Sequence, residues 1–189
     1  MWQYTRLKAN VSVVLLFSTL GLIAQESKLG KKIAEDRLPT PREKKQLFYL
    51  QRDPDENTVI YQLNMKDSVI DADDPINVYW IRYAEGGTRK ELNFVQRNLA
   101  YGVSHTPLEN GDYELRLAAY KRKPLRLSYC HRSKKYVVYT SIDGREAILD
   151  RIFVRINGGS RLNPDIAYFE LSGLDSATLT PVTERIAPD

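Results

Sequence analysis

Residues 134–156 read KKYVVYTSIDGREAILDRIFVRI, and whether their second half is a helix or a strand decides the fold. Ile148, Leu149, Ile152, Phe153 and Ile156 fall at spacings that would share one face of a helix. Against that, the run from Lys134 to Ile142 is β-branched and aromatic, and Asp143-Gly144 is a dipeptide that closes two-residue hairpins. A chain leaving such a turn returns along the strand it has just made, and RIFVRI is itself rich in β-branched residues. The segment from Arg145 to Ile156 is therefore expected as a second strand, with a bulge near Asp150.

Period-two alternation recurs on both sides of this hairpin. Val59, Tyr61, Leu63 and Met65 alternate with Thr58, Ile60, Gln62 and Asn64, Tyr113, Leu115, Leu117 and Ala119 with Glu114 and Arg116, and Leu125, Leu127 and Tyr129 with Arg126 and Ser128. Asn110-Gly111 and Asn157-Gly158-Gly159 are expected as turns, and Ile166 to Leu171 resumes an extended pattern. Leu92, Val95 and Leu99 have helical spacing instead, so one short helix is expected near residues 92–100. The fold class is all-β: a single antiparallel β-sandwich or barrel-like domain of about eight or nine strands. The Cys, Trp, Cys spacing of immunoglobulin domains is absent.

One strand, Asn77 to Gly87 (NVYWIRYAEGG), does not divide into an apolar and a polar face. Val78, Trp80 and Arg82 point one way, Tyr79, Ile81 and Tyr83 the other. Either it is a central strand packed on both sides, or one face is an aromatic and arginine surface that holds a ligand.

Residues 1–24 have the parts of a secretory signal peptide: Arg6 and Lys8, an apolar run from Val11 to Ile23, then Ala24. The run is short for a membrane span, which argues for an exported protein, periplasmic or secreted, with no transmembrane helix in its mature form. Cleavage would leave 26 of the 28 basic side chains against 24 acidic ones, so the mature chain is nearly neutral overall. Residues 25–46 are charged and broken by Pro39 and Pro41, and are expected as a flexible leader before a single domain at 47–189. Cys130 is the only cysteine, so no intramolecular disulfide forms and stability rests on packing.

Two histidines, His105 and His131, leave little material for acid–base catalysis. Cys130 and His131 are neighbours on a strand and would point to opposite faces. Asp71, Asp73 and Asn77 supply hard oxygen ligands for a weak calcium candidate, but Ile76 stands where a calcium loop wants glycine. No cofactor is indicated. The clearest charge feature lies between Glu114 and Asp143, where no acidic residue occurs. There Lys121, Arg122, Lys123, Arg126, Arg132, Lys134 and Lys135 are interleaved with Tyr120, Tyr129, Tyr136 and Tyr139. Such a patch suits an anionic partner, an acidic glycan or lipid headgroup in preference to nucleic acid given export, or it guards strand edges.

LFYLQRDPDENTVIYQLN (47–64), PINVYWIRYAEGG (75–87) and LAYGV (99–103) together resemble a family of exported bacterial proteins known by a domain-of-unknown-function label. The resemblance covers Leu47 to about Pro188 and implies an exported single-domain protein. It implies no activity, so no catalytic residue carries over. Three readings follow: a non-catalytic interaction or structural module of the cell envelope, a small-molecule or anionic-glycan binding protein, and a small hydrolase. The second would use Arg52, Trp80, Arg82, Gln96, Arg97 and Tyr101. Gln51, Arg52, Tyr61, Trp80, Arg82, Gln96, Arg97 and Tyr101 could equally form a buried polar network, the arrangement the sequence favours, because buried polar groups need partners in any fold.

Overall fold

Thirteen strands and one short helix occur among the described residues, 38–53, 55–160 and 164–188 of a computed structural model. Residues 1–37, where a signal peptide and the first part of a flexible leader are expected, lie outside them. In chain order the strands are β1 (Gln46–Arg52), β2 (Asp55–Leu63), β3 (Met65–Lys66), β4 (Val69–Ile70), β5 (Ile76–Arg82) and β6 (Thr88–Glu91). The helix α1 (Phe94–Gln96) then runs on into a π-helical turn, Arg97–Tyr101. After it come β7 (Val103–Pro107), β8 (Tyr113–Leu117), β9 (Tyr120–Cys130), β10 (Lys135–Ile142), β11 (Arg145–Gly159), β12 (Pro164–Asp175) and β13 (Pro181–Ile186). The chain is all-β with one short helix, as its patterning predicts.

The Asp143-Gly144 turn forms with both residues at positive φ, 52° and 72°, the geometry that matches the twist of the paired strands. Beyond it β11 is a strand of 15 residues with a shared edge. Arg145 to Ile148 pair antiparallel with β10, and Arg151 to Val154 pair in parallel with β1. The opposite edge pairs with β12 throughout, and β12 with β13. One arm, β6-β5-β2-β1, therefore leaves the far half of β11, and the other, β7-β8-β9-β10, leaves the near half. Every pairing is antiparallel except β1 with β11, which makes the 11-stranded sheet mixed.

The arms part where the predicted bulge lies. Leu149 faces Gly173 and Arg151 faces Ser172, so Asp150 is an extra residue between them. The expected turn at Asn157 to Gly159 is instead the end of β11: Gly158 and Gly159 pair with Asp165 and Pro164, and Asn157 is a second bulged residue. Glycine suits such a bulge, where a strand bends without ending.

The arms curl toward each other and enclose one core. Phe48, Leu50, Val59, Tyr61 and Trp80 from the first arm share it with Leu115, Leu125, Leu127 and Val138 from the second. Tyr49, Ile60, Tyr79 and Ile81 form a smaller cluster on the outer face of the first arm. Residues 38–45 cross that face. The Pro39 carbonyl accepts from Gln51 Nε2 (2.6 Å), Lys44 O from Gln62 Nε2 (2.7 Å), and Glu43 from the Tyr79 hydroxyl (3.3 Å). Burial, with the Glu43 carboxylate adding to it, pushes the Tyr79 phenol up to about 12. The two-faced strand NVYWIRY is thus packed on both sides, by the core on one and by the chain's own approach segment on the other.

Gly173 sits opposite the bulge, where a Cβ would lie 2.1 Å from the Ile148 carbonyl oxygen. Gly173→Ala should destabilise the domain by about 1–3 kcal/mol, the range for overpacking. Thermal unfolding should register this as a fall in Tm of about 2–4 °C per kcal/mol. An unchanged Tm would mean the two strands can separate there freely.

Candidate functional site

Between the arms the core is incompletely filled. A cavity of about 160 Å³ is floored by Leu50, Leu117, Leu125, Ile152, Val154 and Leu171, all buried. Its rim is half-exposed and comes from four places: Tyr120 and Lys123 on β9, Ile156 on β11, Ile166 and Phe169 on β12, and Tyr101 at the end of the helix. Alternation explains the lining. Ile152, Val154 and Ile156 point inward, while Arg151, Phe153 and Arg155 between them point out. Tyr120 and Phe169 stack at 5.5 Å and bridge the second arm to β12.

Arg52, at the end of β1, is part of this otherwise apolar wall. Its guanidinium carbon lies 5.8 Å from the ring centres of both Trp80 and Tyr101, and those rings meet edge to face at 4.9 Å. The arginine is therefore held by two aromatic faces, each contributing about 0.5–1 kcal/mol or more where water is excluded. Among the described residues its one carboxylate contact, Nη2 to Asp55, is long at 3.6 Å. Nε of Arg52 and Nε1 of Trp80 are both buried with no acceptor among the described residues. Buried donors without acceptors each cost about 1–3 kcal/mol, so this aromatic and arginine cluster is held in place at a cost to stability. The Tyr101 backbone is pinned by the buried Tyr61, whose hydroxyl donates to the Tyr101 carbonyl at 2.9 Å.

Of the six candidate binding residues, Arg52, Trp80 and Tyr101 come together and three do not join them. Arg82 pairs with Glu85 three residues on, at the surface, although its Nε is buried without an acceptor. Gln96 closes a capping box: its backbone N–H donates to Asn93 Oδ1 (2.8 Å) and its Oε1 accepts from the Asn93 backbone (3.0 Å). Arg97 is exposed, and its carbonyl fixes the next turn, because a Cβ on Gly102 would lie 1.9 Å from that oxygen. The Ala-Tyr-Gly motif is thereby explained by close approach of backbone to backbone.

Parts of the basic patch are neutralised by acids from distant segments. Lys123 pairs with Glu184 (2.8 Å), and Arg126 with Asp112 (3.2 Å) and Glu146 (2.6 Å). Arg132 donates to the Ala177 carbonyl, while Lys121, Arg122, Lys134 and Lys135 are exposed. Asp71 accepts the backbone N–H of Asp73 in a local turn, and Asn77 lies within β5. Among the described residues no group of three or more His, Cys, Asp or Glu side chains is placed to hold a metal. Cys130 ends β9 half-buried, and hydrogen bonds from Ser133 and Tyr139 lower its thiol to about 7. His131 packs edge-on against Tyr129 and His105 against Tyr113.

The polar network that the motifs suggested forms on the outer face with mostly different members. Gln51 is its centre, donating to Thr58 (3.1 Å) and accepting from Arg151 Nε (2.9 Å). Beside it the buried Asp53 pairs with Arg155 (2.6 Å), and Glu170 pairs with Arg185 (2.7 Å). Arg155 and Arg185 lie over the Tyr168 ring at 5.9 and 4.7 Å. A second, wider cleft of about 620 Å³ opens at the fork beside Gln46, Lys135 and Asp150. Desolvation raises the Asp150 carboxyl there, against the opposing pull of Arg151 and Lys135.

The family described as "Domain of unknown function (DUF4833)" matches residues 48–185. The chain belongs to this family. The match takes in Arg52, Trp80, Tyr101 and the whole cavity floor, so the site lies within the family's domain. No curated protein and no solved structure matches the chain. Among the described residues no helix is long and apolar enough to cross a membrane.

The two arginine settings differ enough to be separated by stability. Arg155→Ala leaves Asp53 buried and should cost about 3–5 kcal/mol. Arg82→Ala removes a surface pair and should cost no more than about 1 kcal/mol. Urea unfolding of both variants checks this, and equal losses would contradict the assignment of the network to the outer face.

Proposed function

We propose that the chain is an exported, non-catalytic binding protein of the cell envelope, whose ligand is a small amphiphile with an apolar group and an acidic or carbonyl end. The observation that carries this reading is the apolar cavity with Arg52 in its wall, braced by Trp80 and Tyr101. Ligand sites are mostly apolar with a few placed polar groups, and this wall has that composition. A volume of about 160 Å³ suits a ring or a short branched chain; an apolar cavity of about 150 Å³ takes up benzene. The remainder of the ligand would lie across the rim of Tyr120, Phe169 and Tyr101.

A native mass spectrum of the protein taken gently from its own envelope fraction should show a discrete added mass that is lost on denaturation. In a titration, 1-anilinonaphthalene-8-sulfonate, an aromatic ring with an acidic group, should bind with a fluorescence increase. Arg52→Ala should weaken that binding about tenfold or more, the value of a charge-assisted hydrogen bond, with little change in Tm. A bare native mass together with dye binding indifferent to Arg52 would sink the reading and favour a structural or protein-interaction role.

A further inference from the structure

The helical spacing of Leu92, Val95 and Leu99 predicts a helix, and the helix forms, but only Leu92 is buried. Phe94 is 82% exposed, Val95 49% and Leu99 70%, three large apolar side chains on one short helical segment. Single exposed apolar residues are ordinary, whereas a cluster marks a contact surface. This segment is not a frayed end. It is capped by Asn93 and Gln96, and its far end is tied down through Tyr61 to Tyr101 O, Ala119 N to Ala100 O (3.3 Å) and Ala118 N to Gly102 O (2.8 Å). The fold therefore presents Phe94, Val95 and Leu99 to solvent from a fixed support.

Two further observations say what covers them. The same segment supplies Ala100 and Tyr101 to the cavity wall, so the apolar surface is continuous with the proposed site. The surroundings are also cationic. No acidic residue occurs between Glu91 and Glu109, or between Glu114 and Asp143. Lys90 and Arg97, four residues before Phe94 and three after it, are exposed, and Lys121 and Arg122 follow the turn to which the helix is hydrogen-bonded. Glu91, the nearest acid in sequence, is paired with Arg89 (3.2 Å). Exposed Phe and Leu on a segment flanked in sequence by exposed Lys and Arg is the composition of a surface that lies in the headgroup region of a membrane.

We infer that the segment 94–101 docks on a lipid bilayer carrying anionic headgroups and brings the cavity rim to the membrane surface. The inference rests on the amphiphile-binding reading for its purpose, since a bilayer is where such a ligand resides, but its test is independent of it. Co-sedimentation with vesicles of phosphatidylethanolamine and phosphatidylglycerol should retain the purified protein, and pure phosphatidylcholine vesicles should retain much less. The double variant Phe94→Ser, Leu99→Ser should bind the anionic vesicles about tenfold less, with an unchanged Tm because both side chains are exposed. Arg97→Gln should weaken binding about fivefold, and ~0.5 M salt should weaken the wild type further.

Equal sedimentation of wild type and double variant would overturn the inference. So would a wild-type dimer in vesicle-free ultracentrifugation that the double variant abolishes, which would assign the face to a second copy of the chain. Dye binding in vesicle-free solution should persist in the double variant. If vesicle docking is lost in the variant while neither form binds the dye, the docking inference stands and the cavity reading fails.

Discussion

A strand has two edges, and β11 gives one of them to two partners. Its first residues pair with β10 and its later ones with β1, while β12 occupies the other edge from end to end. Backbone hydrogen bonds cannot be shared between the two claimants, so the arms diverge at the point of transfer. The extra residue Asp150 marks that point, and Gly173 allows β12 to follow the bend. The rest of the architecture follows from this fork. Two half-sheets anchored to one strand and twisting in the same sense curl over each other and enclose a single core.

An enclosure built this way is wider between the arms than a close-packed layer requires, and the side chains do not fill it. Protein interiors normally leave few such voids. This one opens at a half-exposed rim and leaves an apolar wall to solvent. On the proposed reading a ligand's apolar group would cover that wall, and Arg52 would meet its acidic end. The outer face compensates in another way. Arg151, Arg155 and Arg185 lie over Phe153 and Tyr168 and pair with Gln51, Asp53 and Glu170, which ties β1, β11, β12 and β13 together.

Much of the fold was legible because its signals are local. Asp143-Gly144 can make few turns other than the one it makes, and alternation places Leu115, Leu125, Leu127 and Leu171 on inward faces. The parallel pairing of β1 with β11 was not legible, since no residue in QLFYLQR distinguishes a parallel neighbour from an antiparallel one. Asn157 to Gly159 misled for a physical reason: glycine serves a bulge as well as a turn. Of the candidate site, Arg52, Trp80 and Tyr101 were singled out because polar and amphipathic residues beside core strands need partners, and the three do lie together. Leu50, Leu125, Ile152 and Phe169 were missed as lining, because a cavity is a property of how faces meet and leaves no mark on any one strand. Arg82 and Gln96 carry the same kind of signal as Arg52, yet they serve a surface pair and a helix cap. The basic run was visible, but Glu184, Asp112 and Glu146, which neutralise part of it, arrive through the fold.

The most direct test of the central claim, that the fork creates an occupiable chamber between the arms, is methyl NMR of the protein titrated with decanoic acid. Shifts are expected for the methyls of Leu50, Leu117, Leu125, Ile152 and Leu171, with Ile60 and Ile81 on the outer face unmoved. Shifts confined to the outer face, or none at saturating decanoate, would contradict it.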